Sequence, residues 1–258
     1  MRLLITLEVN RAISIPVNHQ EYLTAAIYGY VGAGDQDYAR FVHDDGYAAE
    51  GGKKFKPFTH SWLRVSAGRR RISGDRLQIL PGPIQWQVSS PLDDFLRPFA
   101  TGLLKTGSLR IGSETLGIAA VEALGTPELA GKMQQFTCLS PIVATARRAD
   151  DTTLYLRPAD DTTAFSEAIR KNMIAKYRAF TGREPTGTDL VLEFDPAYIQ
   201  ANHGGTKKAT YKGINVIGIL APFTVTGSQE LIKLGYEAGF GGKTACGFGC
   251  VGLRDGKS

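Results

Sequence analysis

Cysteine and histidine are scarce in this chain. Three cysteines, at 138, 246 and 250, form no C-x-x-C pair, and only four histidines accompany them in 258 residues. An odd, scattered set of thiols indicates neither a disulfide framework nor a zinc site, and buried free thiols are expected. Long hydrophobic runs are missing too. The longest near-apolar stretch, 214–225, is interrupted by Asn215, Gly218 and Pro222 and falls short of the ~20 residues of a membrane span. The amino-terminal MRLLITLEVNRA breaks its apolar stretch at Glu8 and has no small-residue cleavage site, so it does not read as a signal peptide. A soluble, cytoplasmic protein without a membrane partner is the expectation, with no metal or cofactor called for.

What the chain does contain is ordinary for a globular protein. Hydrophobic residues make up 43% and charged residues 21%, which predicts a packed core and excludes a disordered chain. Thirty Lys and Arg against 25 Asp and Glu give a formal net charge of +5, a mild bias towards polyanions that many unrelated proteins share.

Hydrophobic periodicity gives the order of elements. A strand is predicted over 2–9, then a helix over 19–31 on which Tyr22, Leu23, Ala26, Ile27 and Tyr30 recur at helical spacing, with Asn18 as its cap. A short helix over 37–43 puts Tyr38, Phe41 and Val42 on one side, and strands follow at 58–65 and 76–89. Ser90-Pro91 reads as a cap and first-turn proline, ahead of an apolar face of Leu92, Phe95, Leu96, Phe99 and Leu103. Pro98 inside that face predicts a kink or an early stop. A strand over 116–123 closes the first half, and Gly125-Thr126-Pro127 reads as a linker. The second half repeats the pattern: strand 136–146, helix 167–180 stopped by Gly182, strands 190–198 and 209–225, helix 229–235 and strand 250–254. Each half spells β-α-β-β-α-β, the split βαβ unit, so the expected fold is α+β: two tandem ferredoxin-like (RRM-like) domains, 1–125 and 130–258.

The most informative stretch is GYEAGFGGKTACGFGCVGL, 235–253. Its glycines would let backbone N–H groups approach a phosphate closely. Gly242-Lys243-Thr244 is not a P-loop, because G-x-x-x-x-G-K-[ST] needs glycine where Glu237 stands, and a helical pattern rather than a strand precedes it. With Gly239-Phe240-Gly241, Lys243 and Gly247-Phe248-Gly249 in that order, the stretch resembles the glycine-rich carboxy-terminal loop of the RAMP superfamily, in particular the CRISPR repeat-processing endoribonucleases of the sixth Cas family. Ile15-Pro16-Val17-Asn18-His19-Gln20 and Phe55-Lys56-Pro57-Phe58-Thr59-His60-Ser61 look like the same family, so the resemblance touches both ends of the chain.

That resemblance implies an RNA-cutting enzyme that uses no metal: the ribose 2′-hydroxyl attacks the adjacent phosphate and leaves a 2′,3′-cyclic phosphate and a 5′-hydroxyl. By position in the family pattern, the histidine falls on His43, the first-helix tyrosine on Tyr28 and the loop lysine on Lys56, with Lys53, Lys54 and His60 as possible substitutes. The helical wheel agrees in part, since Tyr28 lies opposite the apolar arc and His43 off the stripe of its short helix, so neither is expected in the core. RNA contacts are implied for Lys207, Lys208 and Lys212 and for the loop residues Gly239, Gly241, Gly242, Lys243, Gly247 and Gly249. The implied partners are CRISPR repeat RNA, its crRNA product and a Cascade-type interference complex. The alternative within the superfamily is an RNA-holding subunit that does not cut; a metabolic ferredoxin-like enzyme would instead have a small-molecule pocket. Arg69-Arg70-Arg71, the sharpest charge run, is assigned no contact by the resemblance.

Overall fold

Alternation along the first strand, Arg2–Val9, buries Leu3, Ile5, Leu7 and Val9 on one face, and that strand becomes the middle of a sheet. In this computed structural model, which describes residues 1–125, 127–129 and 131–254, the sheet runs in the order Thr59–His60, Gly82–Ser89, Arg2–Val9, Glu114–Leu124, Ser108–Ile111. A second sheet is ordered Leu190–Phe194, Phe223–Gly227, Met133–Cys138, Val251–Leu253. All pairings in both sheets are antiparallel. In each half the first strand lies between the third and the fourth, and the second pairs with the third. The two halves therefore share the ferredoxin-like strand order, and the α+β expectation holds. Of the expected domain limits and linker, Thr126, Ala130 and residues 255–258 lie outside the described residues.

Helices Gln20–Gly34 and Asp93–Thr106 supply Leu23, Ile27, Phe95 and Phe99 to the first core, around the fully buried Trp86. Helices Thr162–Thr181 and Gln229–Ala238 supply Phe165, Ile169, Met173, Leu231 and Ile232 to the second. The first pair of helices meets backbone to backbone: a Cβ built on Gly102 would sit 1.8 Å from the Tyr30 carbonyl oxygen. Pro98 does not end its helix, which continues to Thr106. The carbonyl that Pro98 cannot satisfy belongs to Asp94, in the exposed first turn, and burial of Phe99 and Leu103 beyond it holds the helix together.

Several expected boundaries move, each for a local reason. Asn18 does not cap the first helix; its side chain accepts from the Thr210 amide of the other half at 3.0 Å, and His19 takes the cap position without a side-chain bond. Ser90 closes a turn by accepting from the Leu92 amide, and the helix begins at Asp93. The 76–89 run breaks into Arg76–Ile79 and Gly82–Ser89 around Leu80-Pro81. Strand 190–198 stops at Phe194, because Asp195 and Pro196 start the Pro196–Ala201 helix. The 209–225 run becomes a hairpin, Thr206–Tyr211 with Ile214–Ile219, followed by Phe223–Gly227; Lys212 and Gly213, with φ of 47° and 77°, form its two-residue turn. Helix 167–180 starts earlier, at Thr162, where Asp161 accepts from the Ala164 amide. Gly182 ends it in the left-handed conformation, as expected.

The halves are joined by buried polar contacts. Arg2 is 3% exposed and donates to the carbonyls of Val251 (2.6 Å) and Tyr236 (2.7 Å), with its guanidinium 4.0 Å from the Tyr236 ring centroid. Thr59 Oγ1 donates to the Phe248 carbonyl, Trp62 Nε1 to the Gly247 carbonyl and Ser140 Oγ to the His60 carbonyl. His60 itself is fully buried, within 3.2 Å of both Thr24 Oγ1 and the Ser61 carbonyl. Burial pushes its pKa down to about 4, as it does for His19.

Two outcomes are expected from this packing. Gly102→Ala should destabilise the protein by ~1–3 kcal/mol in urea unfolding, the cost of overpacking where backbone must shift. The depressed histidines make stability complete above the ordinary imidazole pKa of 6.5 and erode it as pH falls towards about 4, because only the unfolded chain takes up those protons. Melting temperature should thus drop between pH 7 and pH 5, and less steeply in His60→Asn; an unchanged slope in that variant would contradict the assignment.

Candidate active site and RNA-facing surface

His43 stands on a widened turn. Helix Gln36–Arg40, capped by Asp35 accepting from the Tyr38 amide, runs directly into a π-helical turn at Phe41–Asp45, closed by the Gly46 amide on the Phe41 carbonyl at 2.7 Å. Such turns change the facing of the side chains they carry and recur at functional sites. Here Val42 is buried while the His43 side chain is 65% exposed. Its Nδ1 lies 2.7 Å from Asp44 Oδ1. With Nδ1–H held by that carboxylate, the neutral ring presents Nε2 as its lone-pair nitrogen. The bond from His43 in turn holds the Asp44 carboxyl below its ordinary pKa.

Tyr28 meets His43 edge to face, with ring centroids 5.1 Å apart at 79°, and Phe58 at 5.7 Å on its other side. Tyr28 stays outside the core, in line with the wheel, but it is half-buried against His43 and Phe58, with Tyr211 and Cys246 of the second half near enough to act on its phenol. Burial, reinforced by Cys246 and Tyr211, pushes the phenol pKa well above its ordinary value, so the hydroxyl keeps its proton at neutral pH. Lys56 completes the corner, donating from Nζ to the His43 carbonyl at 2.7 Å. Partial burial and then the neighbouring Lys54 lower its pKa, against the opposing pull of Asp44 and Asp45. Gly46 makes room for it, since a Cβ there would lie 3.1 Å from Lys56 Nζ and 2.7 Å from the Phe55 carbonyl oxygen.

The structure also separates the alternatives. Lys54 reaches the Asp44 carbonyl and the Asp45 carboxylate, 3.2 and 3.5 Å away. Lys53 turns towards Asn172 of the second half and the Phe55 ring. His60 is sealed in the interior and cannot stand in for His43. Asp44 and Asn172 were not singled out by sequence; the first was visible only as an acid adjacent to His43, and the second carries no local signal.

Lys207, Lys208 and Lys212 are exposed on the Thr206–Ile219 hairpin. The hairpin rests on the first helix: besides the bond to Asn18, the Lys212 amide donates to Glu21 Oε2 at 3.3 Å. Lys212 and Lys243 both lie close enough to Cys246 to favour its thiolate, although burial, the larger effect, raises the thiol pKa.

The glycine segment departs from the expected phosphate cradle. Gly239, Gly241, Gly247 and Gly249 are buried. The amides of Gly247 and Gly249 are taken by the carbonyls of Thr244 and Pro141, and that of Gly242 by Val143. The Gly239 carbonyl accepts from the buried Lys176 at 2.8 Å. Their use is packing: a Cβ on Gly241 would lie 2.4 Å from the Val143 carbonyl oxygen. Exposed Lys243 and half-exposed Gly242, Ala245 and Cys246 present this part of the segment to solvent.

Among the described residues no three His, Cys, Asp or Glu side chains group as metal ligands, and no helix is long and apolar enough to cross a membrane.

Known proteins resemble this chain in sequence and fold. Residues 14–122 match the family described as CRISPR-associated protein Cas6, N-terminal, and residues 124–253 match CRISPR associated protein Cas6, C-terminal. The CRISPR-associated endoribonuclease Cas6 1 of Methanocaldococcus jannaschii is 30% identical over 252 residues, 97% of this chain and 92% of that protein. Cas6 of Pyrococcus furiosus is 27% identical, over 100% of this chain and 92% of its own length. In three dimensions the product of a Cas6-related gene from Pyrococcus furiosus aligns with a TM-score of 0.84 at 26% identity, covering 100% of this chain and 99% of that one. A solved structure described as an RAMP protein binding different RNA substrates aligns at 0.82 and 26%, over 99% of this chain and all of the other (100%). With both halves matched in sequence and the whole chain matched in fold, this protein belongs to the Cas6 family of CRISPR-associated proteins.

Proposed function

We propose that this protein cuts CRISPR repeat RNA without a metal, at the corner formed by His43, Tyr28 and Lys56, and so produces guide crRNA. The observation that carries the reading is the convergence of those side chains: an oriented imidazole, a phenol that stays protonated and a lysine ammonium, all within one corner. The names of the relatives, endoribonucleases, support the reaction class.

In this reaction His43 Nε2 takes the proton of a ribose 2′-hydroxyl, whose oxygen attacks the adjacent phosphorus. The bond from phosphorus to the 5′-oxygen breaks, that oxygen takes up a proton, and the products carry 2′,3′-cyclic phosphate and 5′-hydroxyl ends. Asp44 steadies the imidazole and the imidazolium that forms. Tyr28 donates its O–H to the crowded phosphate, and Lys56 supplies positive charge where negative charge grows. Residues 1–125 act as the cutting half and 130–258 as the RNA-gripping half, through Lys207, Lys208, Lys212, Gly242 and Lys243. After cutting, the protein retains its crRNA and delivers it to a Cascade-type complex.

End-labelled repeat RNA in EDTA tests this. The wild type should make one cut ending in a cyclic phosphate and leave a shuffled RNA intact. His43→Ala should slow the cut by ~10²–10⁴-fold, the usual contribution of a general base, with RNA affinity retained. Gly46→Val, which displaces Lys56, should slow cutting without weakening binding. Tight binding with no cut by the wild type would mark a crRNA-holding subunit instead. Replacing Lys207, Lys208 and Lys212 by Ala should weaken binding and flatten its dependence on log salt by ~0.7 per lysine removed; an unchanged slope would exclude the hairpin from the interface.

A further inference from the structure

Outside the corner just described, the loop that carries Lys56 and the glycine segment meet at a cavity. It lies between the Thr162–Thr181 helix and the 143–146 segment, with a volume of about 540 Å³, within the ~300–1,000 Å³ of small-ligand clefts. Ala144, Ala164 and Ala168 form an apolar part of its wall, beside the charged Glu167 and Lys171. Its rim brings Lys53 from the first half together with Asn172 and Gly242 from the second.

The charges at the rim are unbalanced. With the Asn172 amide oriented to satisfy both neighbours, its nitrogen donates to the Gly241 carbonyl at 2.8 Å and its oxygen accepts from Lys53 Nζ at 3.0 Å. Behind it, the fully buried Lys176 donates to the Gly239 carbonyl. Both amines thus face neutral oxygens, and among the described residues neither forms an ion pair with a carboxylate. Glu167, the acid at this cavity, is already neutralised by Arg170 at 2.6 and 2.8 Å and by Lys171 at 3.4 Å. Lys53 is exposed at the rim and open to an incoming anion, while the fully buried Lys176 behind it is costly as an ammonium without a counter-charge, a cost that an anion relieves. Burial accordingly lowers the pKa of Lys53, and that of Lys176 further, with the charge of Lys53 opposing protonation of Lys176.

We propose that this cavity takes one nucleotide of the bound RNA strand, its base between the alanine walls and its phosphate at Lys53. The proposal rests on the endoribonuclease reading and deepens it by adding a subsite that selects the strand beside the cut. A nucleotide seated there bears on Lys53, in the same loop as Lys56, and on the glycine segment through Asn172. RNA register would thereby be read at the point where the two halves join.

The test measures affinity, so it does not depend on cleavage. Repeat RNA carrying a 2′-deoxy nucleotide at the cut site is bound by the wild type as an intact strand and as a series with single abasic positions. One abasic position near the cut should weaken binding roughly tenfold, the scale of a lost base contact. In Ala168→Leu, which fills the slot, and in Lys53→Ala, that penalty should disappear, so that intact and abasic strands bind alike. Thermal melting of both variants confirms folding, and either variant alone suffices to read the result. The proposal is overturned if no single abasic position is penalised in the wild type, or if the penalty persists unchanged in a folded variant. If the wild type binds no repeat RNA, the endoribonuclease reading itself fails, a result distinct from binding without a position-specific penalty.

Discussion

The backbone of residues 239–249 is the piece on which the rest of the structure depends. It is hydrogen-bonded from both halves at once: Thr59 and Trp62 donate to the carbonyls of Phe248 and Gly247 from the first half, while Lys176 and Asn172 reach Gly239 and Gly241 from the second. A buried peptide group must find a partner, so each of these bonds is an obligation as well as an attraction. The alternation of glycine and phenylalanine follows from the same constraint. Phe240 fills the second core and Phe248 a smaller cluster at the seam, both fully buried, and the flanking glycines allow the chain to turn against neighbouring carbonyls. Arg2, donating to Tyr236 and Val251, ties the amino-terminal strand to the two ends of this segment.

From that seam follows the location of the proposed active site. His43, Tyr28 and Lys56 all belong to the first half, yet the second half completes their surroundings. Tyr211 and Cys246 add to the rise in the Tyr28 pKa, and Phe180 packs edge to face against Tyr47 and Phe55, at 5.3 and 6.3 Å, in the loop region that carries Lys56. The basic hairpin is pinned to the first helix through Asn18 and Glu21. The first half alone brings imidazole, phenol and Lys56 together, and the second half adds the basic hairpin held against the first helix.

Within the corner, electrostatics divides the labour. The lysine nearest His43 is the one whose ammonium caps the His43 carbonyl, while its neighbours are engaged elsewhere, Lys54 with Asp44 and Asp45 and Lys53 with Asn172. The π-helical turn is what separates His43 from the buried Val42 beside it and leaves the imidazole exposed, oriented by Asp44.

Local pattern was enough for much of this. Apolar spacing in 19–31 and 167–180 located two of the main helices, Gly182 marked a helix end, and the order of elements indicated two ferredoxin-like units; family motifs nominated His43, Tyr28 and Lys56. These features are legible because amphipathic periodicity and capping depend on residues a few positions apart. Contacts across the chain are another matter. Thr59 meets Phe248 at a separation of 189 residues, and Asn18 meets Thr210 at 192. No local signal could show that Asn18 anchors a hairpin instead of capping a helix, that Tyr28 would be half covered, or that His60 would be interior. The glycines show the limit most clearly. Their sequence announced a backbone that something must approach closely, and only the tertiary structure decided that the approaching groups are chiefly the protein's own carbonyls and side chains.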